Sequence, residues 1–338
     1  MQTISLPRAF EPDFYRETYP DLAHLTVDEA LEHYRTDGIG NGYAGSPAAE
    51  RFHLLSFADN KEAILEIGPF HAPSVFGGQV RYMDVLNTEG LINAVREAGH
   101  DTSRVPQIHY VAPTGGFHMV DRKFAAVFSG HCIEHQPDLV RHLQGVSSIL
   151  DDDGRYYIAC PDKRYCFDHY APESTVVDIL AAYYASHKVH QPRSFIVQHL
   201  HRTHNEAARH WSNNHGQQQY MNHENAKTDI FAIPRDDAYH DIHAWQFTPS
   251  SFFRMMNFLY AVRLTDLAPE RVYHTRFGTQ EFTAALRKGR HRFSQDEAFI
   301  EPLSGEDYIS LLKRTNLLFK NEIERLRDEL ARAYSSRS

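Results

Sequence analysis

The sequence predicts an α/β protein with a parallel sheet and helices on both faces, on three observations. Short apolar segments alternate with helical segments between about residues 51 and 275. Each apolar segment ends near a glycine or a polar cluster, as strands of such sheets do. The 338 residues are 42% hydrophobic, which is enough apolar material for one large domain or two modest ones.

The central region is predicted to contain five strands and a well-defined helix. The strands are placed at 63–67, 80–83, 108–111, 124–128 and 155–160. The helix is placed from Pro137 to Leu150, because proline suits a first helical turn and the following leucines share one face. Because open sheets bind ligands beyond the carboxyl ends of their strands, we expect the functional site there.

The pattern divides the chain into three regions. Residues 1–50 form a small helical module, and residues 51–280 form the main domain with a histidine-rich insert at about 185–240. Residues 281–338 form an extension whose helix, at about 305–334, carries a heptad repeat. The repeat favours a coiled coil with a second copy or a partner helix, and docking on its own domain is the alternative.

Composition excludes several classes of function. A net charge of −9 argues against a nucleic-acid partner. No apolar run approaches the ~20 residues of a membrane helix, and the N-terminus has no signal-peptide pattern. The three cysteines have neither zinc spacing nor an even count, so we expect reduced thiols in a cytoplasmic protein.

The stretch AILEIGPFHAPSVFGGQVRYMDV, residues 63–85, has the outline of a nucleotide-binding unit. Where a dinucleotide fingerprint needs a second glycine to approach a pyrophosphate, this chain has Phe70. S-adenosylmethionine has no phosphate, so it needs only the turn at Gly68, an acid for its ribose at Asp84, and Glu66 near its ammonium group. Taken alone, the loop also fits an ordinary strand-to-helix turn.

Three further motifs follow in order: SGHCIEHQPD (129–138), CPDKRYCFD (160–168) and IHAWQFTPSSF (242–252). On these motifs, the region from about 60 to 275 resembles the class I S-adenosylmethionine-dependent methyltransferases. Within them it looks like a bacterial subgroup that reads SHVIEHVPD, VPDKRYTFD and HVWTFTPESF. The resemblance implies a Rossmann-like sheet and S-adenosylmethionine as cofactor. The chain departs from the family at Phe70, where the usual loop is Gly-Pro-Gly, and at DDDG, where Pro-Gly-Gly is usual.

The loop and the resemblance together assign the cofactor contacts to the ends of the first, second and fourth strands. The predicted cofactor-binding residues are Glu66, Gly68, Pro69, Phe70, Asp84, Val85, Ser129, Gly130 and His131.

Methyl transfer to a hydroxyl requires alignment and removal of a proton, for which histidine is a natural base. The predicted catalytic residues are His131, His135, Asp162 and His243, and the predicted acceptor contacts are Lys163, Arg164, His240 and Asp241. The alternatives are a helix cap for His135, simple packing for His131, and a salt-bridged surface turn at residues 162–164.

We expect a metal-free mechanism. His199, His201 and His204 have no accompanying cysteine pair or HExxH spacing, so a dedicated zinc site is not predicted there. A divalent ion held by Asp162, His240 and Asp241 is the less favoured alternative.

The acceptor is predicted from the N-terminus. Residues 9–47 resemble a small helical module of bacterial glycan-building enzymes, although a helical cap on the main domain is the alternative. We therefore expect an O-methyltransferase of a sugar hydroxyl in surface-polysaccharide biosynthesis, cytoplasmic and associated with membrane-bound glycan-assembly machinery. Methylation of a small amine or natural product, and a catalytically silent scaffold, are the alternatives.

Overall fold

The computed structural model describes residues 5–58, 63–234, 236, 238, 240–291, 293 and 299–303. The helix predicted at 305–334, with its heptad repeat, lies outside these residues. Within them, no helix is both long and apolar enough to cross a membrane.

A seven-stranded mixed sheet forms the centre of the molecule. Its strands are β1 (Ile64–Ile67), β2 (Val80–Asp84), β3 (Tyr110–Val111), β4 (Phe124–Gly130), β5 (Leu150–Pro161), β6 (Leu267–Tyr273) and β7 (Glu281–Lys288). Their order is β3-β2-β1-β4-β5-β7-β6. Strands β1 to β5 pair in parallel, whereas β7 runs antiparallel to both neighbours. The order of the first five strands is that of a doubly wound, Rossmann-like sheet.

Ten α-helices lie in the described part of the chain. They are α1 (Pro12–Thr18), α2 (Val27–His33), α3 (Arg51–Leu55), α4 (Thr88–Glu97), α5 (Leu139–Ile149), α6 (Val176–Ala185), α7 (Pro192–His201), α8 (Ala207–Trp211), α9 (His223–Phe231) and α10 (Pro249–Ala261). Helices α7 to α9 lie in the predicted histidine-rich insert.

Two apolar cores lie on opposite faces of the sheet, because successive residues of a strand point in opposite directions. On β5, Tyr156 and Ile158 join the larger core, to which α5, α6 and α10 contribute. Tyr157 and Ala159 join the second core, to which α3 contributes. Helices therefore cover both faces, and the predicted fold class is confirmed.

The predicted elements differ from the structure mainly at their ends. Strand β5 begins at Leu150, because the DDDG segment is an irregularity within the strand, where the register against β4 shifts, and not a separating turn. The helix begins at Leu139 and not at Pro137, because the Asp138 side chain caps it by accepting a hydrogen bond from the Arg141 N–H. Strand β3 contains only two of the four predicted residues.

The N-terminal helices pack on the sheet domain. The rings of Phe10 and Tyr34 stack at 5.0 Å in their core. The Tyr273 hydroxyl donates to the Pro7 carbonyl at 2.9 Å, and the Phe277 N–H donates to the Gly42 carbonyl at 2.8 Å. The separate module at 1–50 stays a prediction, and β7 extends the sheet beyond the predicted domain boundary at residue 280.

Candidate functional site

A cavity of about 680 Å³ opens beyond the carboxyl ends of β1, β2 and β4. Of the predicted cofactor residues, all except Ser129 line it. Its lining also includes apolar residues of α4 and of the segment after β3, the predicted catalytic residue His135, and the predicted acceptor contact Asp241. The structure therefore places eight of the nine predicted cofactor-binding residues around one cavity.

The loop after β1 keeps a glycine-type turn without its second glycine. Gly68 has φ +69° and Phe70 has φ +44°, so both lie in the left-handed region. The Gly68 N–H donates to the Met83 carbonyl at 2.9 Å, which ties the loop to β2. Because a Cβ disfavours this conformation by about 1–2 kcal/mol, Phe70 adopts a backbone shape that glycine would adopt without strain.

We expect a Phe70→Gly variant to be more stable than a Phe70→Ala variant by about 1 kcal/mol. Both variants lose the ring, which contacts His71 edge to face at 5.0 Å, so their difference isolates the backbone strain. Urea unfolding of the two proteins measures it. Equal stabilities would contradict the strained turn.

Glu66 binds the C-terminal end of the same loop, at Ser74 and Val75. Its carboxylate is buried and accepts hydrogen bonds from the N–H groups of Ser74 at 2.8 Å and Val75 at 3.0 Å. Burial raises the pKa of Glu66 to about 7, against the lowering effect of these bonds. The contacts make Glu66 a support for the loop, whereas its predicted contact with an ammonium group stays a prediction.

Asp84 ends β2 at the cavity. It is 9% exposed, and its Oδ1 accepts a hydrogen bond from the Leu86 N–H at 3.1 Å. Burial raises the pKa of its carboxyl. An ionised carboxylate accepts about four hydrogen bonds, so Asp84 retains capacity for hydroxyl groups of a ligand.

Ser129 lies on β4 but not at the cavity. It is fully buried, and its hydroxyl lies 2.6 Å from the hydroxyl of Tyr156, which in turn lies 3.0 Å from His142 Nε2. Gly130 and His131 follow at the cavity, and His131 has φ +50°. Ser129 therefore supports the wall from behind, and its direct contact with a cofactor stays a prediction.

His131 is linked to Glu281 and Arg51, two residues that the sequence did not predict as part of the site. Its Nε2 donates to Glu281 Oε2 at 2.8 Å, and Arg51 Nε donates to Glu281 Oε1 at 3.1 Å. Burial opposes ionisation of Glu281, yet the hydrogen bond from His131 and the charge of Arg51 lower its pKa to about 2. The ionised Glu281 fixes the proton of His131 on Nε2 and leaves Nδ1 as the acceptor.

We expect the stability difference between the wild type and Glu281→Gln to depend on pH. Because the pKa of Glu281 falls from 4.5 to about 2 on folding, its ionised form stabilises the protein fully above about pH 4.5. This stabilisation, about 3 kcal/mol, is lost as the pH falls towards 2. Denaturant unfolding between pH 3 and 7 measures the trend. A constant difference would contradict it, and Glu89→Gln, an exposed site, is the control.

The turn after β5 is held by internal contacts. Asp162 is fully buried and accepts hydrogen bonds from Arg164 Nη2 and from the Thr275 hydroxyl, both at 2.6 Å. Lys163 Nζ donates to the His169 carbonyl at 2.9 Å. None of residues 162–164 lines the cavity. The turn is salt-bridged, as in the alternative, but Asp162 is buried and not on the surface. The catalytic and acceptor roles stay predictions.

The three sequence motifs contact one another. The N–H groups of Ala244 and Trp245 donate to the Glu134 carbonyl at 2.8 and 3.1 Å. The Lys163 N–H donates to the Phe247 carbonyl at 2.8 Å. The segment after β4, the turn after β5 and the segment before α10 therefore form one unit beside the cavity.

In this unit, His135 and His243 contact each other, and each lies close to an aspartate. His135 Nδ1 lies 3.2 Å from Asp241 Oδ1, and its ring meets that of His243 at right angles, with centroids 4.6 Å apart. His243 Nδ1 lies 2.5 Å from Asp168 Oδ2. Sequence reasoning missed Asp168, although it lies inside a quoted motif.

The remaining histidines of the predicted site and of the insert lie elsewhere. His240 Nε2 lies 2.7 Å from Asp236 Oδ1, outside the cavity lining. His199 is paired with Asp229, His201 with Gln218, and His204 with the Asn214 carbonyl. The structure therefore does not gather the H-x-H-x-x-H residues around one point.

No protein-family model and no curated protein matches this chain. Several solved structures are similar in part. The CcbJ methyltransferase of Streptomyces caelestis is 18% identical over 36% of this chain and 52% of its own, with a TM-score of 0.26. The glycopeptide N-methyltransferase MtfA, complexed with sinefungin, is 14% identical over 36% and 56%, with a TM-score of 0.26. The mitomycin 7-O-methyltransferase MmcR is 12% identical over 80% and 60%, with a TM-score of 0.33.

This chain spans about half the length of the first two of these structures. Likenesses of this size carry no argument about what the chain binds or does. Any functional assignment therefore depends on the geometry of the site.

Proposed function

We propose that this protein is an S-adenosylmethionine-dependent O-methyltransferase that acts on a sugar hydroxyl. The observation that carries the proposal is the cavity that joins the left-handed turn at Gly68 to the buried Asp84. Its volume of about 680 Å³ lies in the usual range for small-ligand sites.

The residues around the cavity suit a cofactor with an apolar end and a hydroxylated middle. Leu91, Ala94 and Phe117 provide the apolar wall that an adenine ring requires. Asp84 provides acceptor oxygens for ribose hydroxyls. Gly68 lines the cavity without a side chain, so its backbone is open to contact with a ligand.

The bound cofactor supplies an electrophilic methyl group on a sulfonium centre. His131 lines the same cavity, and we infer that its Nδ1 accepts the proton of an acceptor hydroxyl. Glu281 holds the proton on His131 Nε2, and it stabilises the imidazolium that forms when Nδ1 is protonated. Arg51 keeps Glu281 in place through its two-point contact.

The sugar acceptor is supported by two features. An oriented histidine base is needed more for a hydroxyl, which must lose its proton, than for an amine, which reacts as a neutral nucleophile. The resemblance of residues 9–47 to a module of glycan-building enzymes points to a saccharide. Pairing through the C-terminal helix, a cytoplasmic location and association with membrane-bound assembly machinery stay predictions.

Transfer of label from methyl-tritiated S-adenosylmethionine tests the proposal. The purified protein is offered nucleotide sugars and polysaccharide fragments in one set and small amines in another. We expect label in a base-stable ether of the saccharides. Transfer to amines alone would replace the sugar acceptor with the alternative, and absence of cofactor binding would favour the silent scaffold.

A further inference from the structure

Glu134 is a buried carboxylate without a hydrogen bond. It follows β4, is 1% exposed, and neither of its Oε atoms has a hydrogen-bond partner in the described part of the chain. Its Oε1 lies 3.6 Å from His135 Nε2 and 3.9 Å from His243 Nε2. Both distances are too long for hydrogen bonds. A buried charge in this state is costly unless another group neutralises it.

The spacing of these three atoms is that of ligands around one ion. Glu134, His135 and His243 offer ligand atoms that all lie within 4.8 Å of one another. Ligands at about 2 Å from a shared metal stand about 3–4 Å apart. The two imidazole rings are perpendicular, at 88°, and are therefore not stacked on each other.

His243 is hydrogen-bonded to a carboxylate through its other ring nitrogen, and an acid also lies near His135. Asp168 accepts from His243 Nδ1 at 2.5 Å, and in the neutral imidazole this leaves Nε2 as the nitrogen with a lone pair, on the side of Glu134. Asp241 Oδ1 lies 3.2 Å from His135 Nδ1, although the geometry of this contact is not that of a hydrogen bond. Carboxylates behind histidine ligands are a regular feature of metal sites, where they fix the ring and its proton.

A second histidine cluster does not have this geometry. The rings of His169 and His215 stack at 3.7 Å and 11°, so their lone pairs run side by side. His210 Nε2 is 3.1 Å from the His204 carbonyl, to which it donates, and His169 Nδ1 is 2.8 Å from the Arg164 carbonyl. Stacking and hydrogen bonds account for this cluster without an ion.

We propose that Glu134, His135 and His243 bind a divalent transition-metal ion beside the cavity. Two imidazoles and one carboxylate suit Zn²⁺, which commonly takes three protein ligands and keeps one open position. Mg²⁺ is disfavoured because it prefers oxygen ligands. This proposal departs from the expected metal-free mechanism, and it uses other residues than the set Asp162, His240 and Asp241.

The ion's role depends on the proposed function, whereas its binding does not. His135 and Asp241 line the cavity, so the open position lies next to the space in which an acceptor would bind. A hydroxyl bound there is oriented and loses its proton more readily.

The test is calorimetric titration of Zn²⁺, and separately of Mg²⁺, into the full-length protein after dialysis against a chelator. We expect one equivalent of tightly bound Zn²⁺ and at least a hundredfold preference over Mg²⁺. Glu134→Gln and His243→Gln should each weaken Zn²⁺ binding at least a hundredfold. His215→Gln, in the stacked cluster, is the matched control and should bind as the wild type does.

Thermal unfolding distinguishes lost ligation from a damaged fold. We expect the metal-free Glu134→Gln protein to melt no lower than the metal-free wild type, because the variant no longer buries the unpaired charge. Zn²⁺ should raise the melting temperature of the wild type but not that of the variant. A wild type that binds no Zn²⁺, or a Glu134→Gln variant that binds it equally well, would overturn the site.

Titration of S-adenosylhomocysteine into the same proteins separates this proposal from the proposed function. Zinc binding without binding of this ligand supports the metal site and contradicts the methyltransferase assignment. Binding of S-adenosylhomocysteine without zinc binding supports the methyltransferase assignment and contradicts the metal site.

Discussion

Replacement of Asp84 by alanine is expected to weaken binding of S-adenosylhomocysteine about a thousandfold. Asp84 is the buried acid at the end of β2 that lines the cavity. Removal of two hydrogen bonds from ribose hydroxyls to a charged acceptor costs about 1.5–3 kcal/mol each, and each 1.4 kcal/mol is about tenfold in affinity. Isothermal titration of the wild type and the variant measures the loss.

The matched control is Asp151→Ala, an exposed aspartate near the start of β5, at the opposite end of the sheet. It should bind as the wild type does. An Asp84→Ala protein that remains folded and keeps its affinity would remove Asp84 from the cofactor site. Circular dichroism distinguishes that outcome from unfolding of the variant.

Replacement of His131 by alanine is expected to lower turnover with a hydroxyl acceptor by about 10²–10⁴-fold, the usual contribution of a general base. The affinity for S-adenosylhomocysteine should change much less, because the proton acceptor acts on the other substrate. Single-turnover label transfer at saturating cofactor measures the chemical step separately from binding.

Glu281→Gln tests how His131 is positioned. Glutamine keeps the shape of the side chain but not the charge that orients His131 at 2.8 Å. We expect a smaller loss of turnover than in His131→Ala, with a changed pH profile. Full turnover of the His131→Ala protein on a hydroxyl acceptor would show that another group accepts the proton.

The sheet and the residues that line the cavity beyond β1, β2 and β4 could be predicted from the sequence because their signals are local. A segment of 21 residues contains strand β1, Gly68, strand β2 and Asp84. The alternation of strands and helices predicts that the carboxyl ends of these strands lie at the same edge of the sheet. The sequence did not show that Phe70 itself adopts a glycine-type conformation. The chain keeps the left-handed turn, with φ +44°, without the glycine that usually marks it.

The rest of the site depends on long-range pairing that local patterns do not contain. Glu281 reaches His131 only because β7 runs antiparallel beside β5, and β6 and β7 were not among the predicted strands. Proline and charges interrupt β6, and polar residues begin and end β7. The partners of Asp162, Lys163 and Arg164 are likewise set by tertiary contacts. The sequence therefore could not distinguish residues that bind an acceptor from residues that hold a turn through internal hydrogen bonds and a salt bridge.

The proposed function requires that the cavity beyond β1, β2 and β4 binds S-adenosylmethionine. Its most direct test is calorimetric titration of S-adenosylhomocysteine into the unmodified protein, with NAD⁺ titrated in parallel. We expect S-adenosylhomocysteine to saturate one site per chain and NAD⁺ to give no binding heat, because Phe70 occupies the position at which a pyrophosphate would approach the backbone. A protein that binds NAD⁺, or that gives no heat with S-adenosylhomocysteine, would contradict the assignment of this cavity to S-adenosylmethionine.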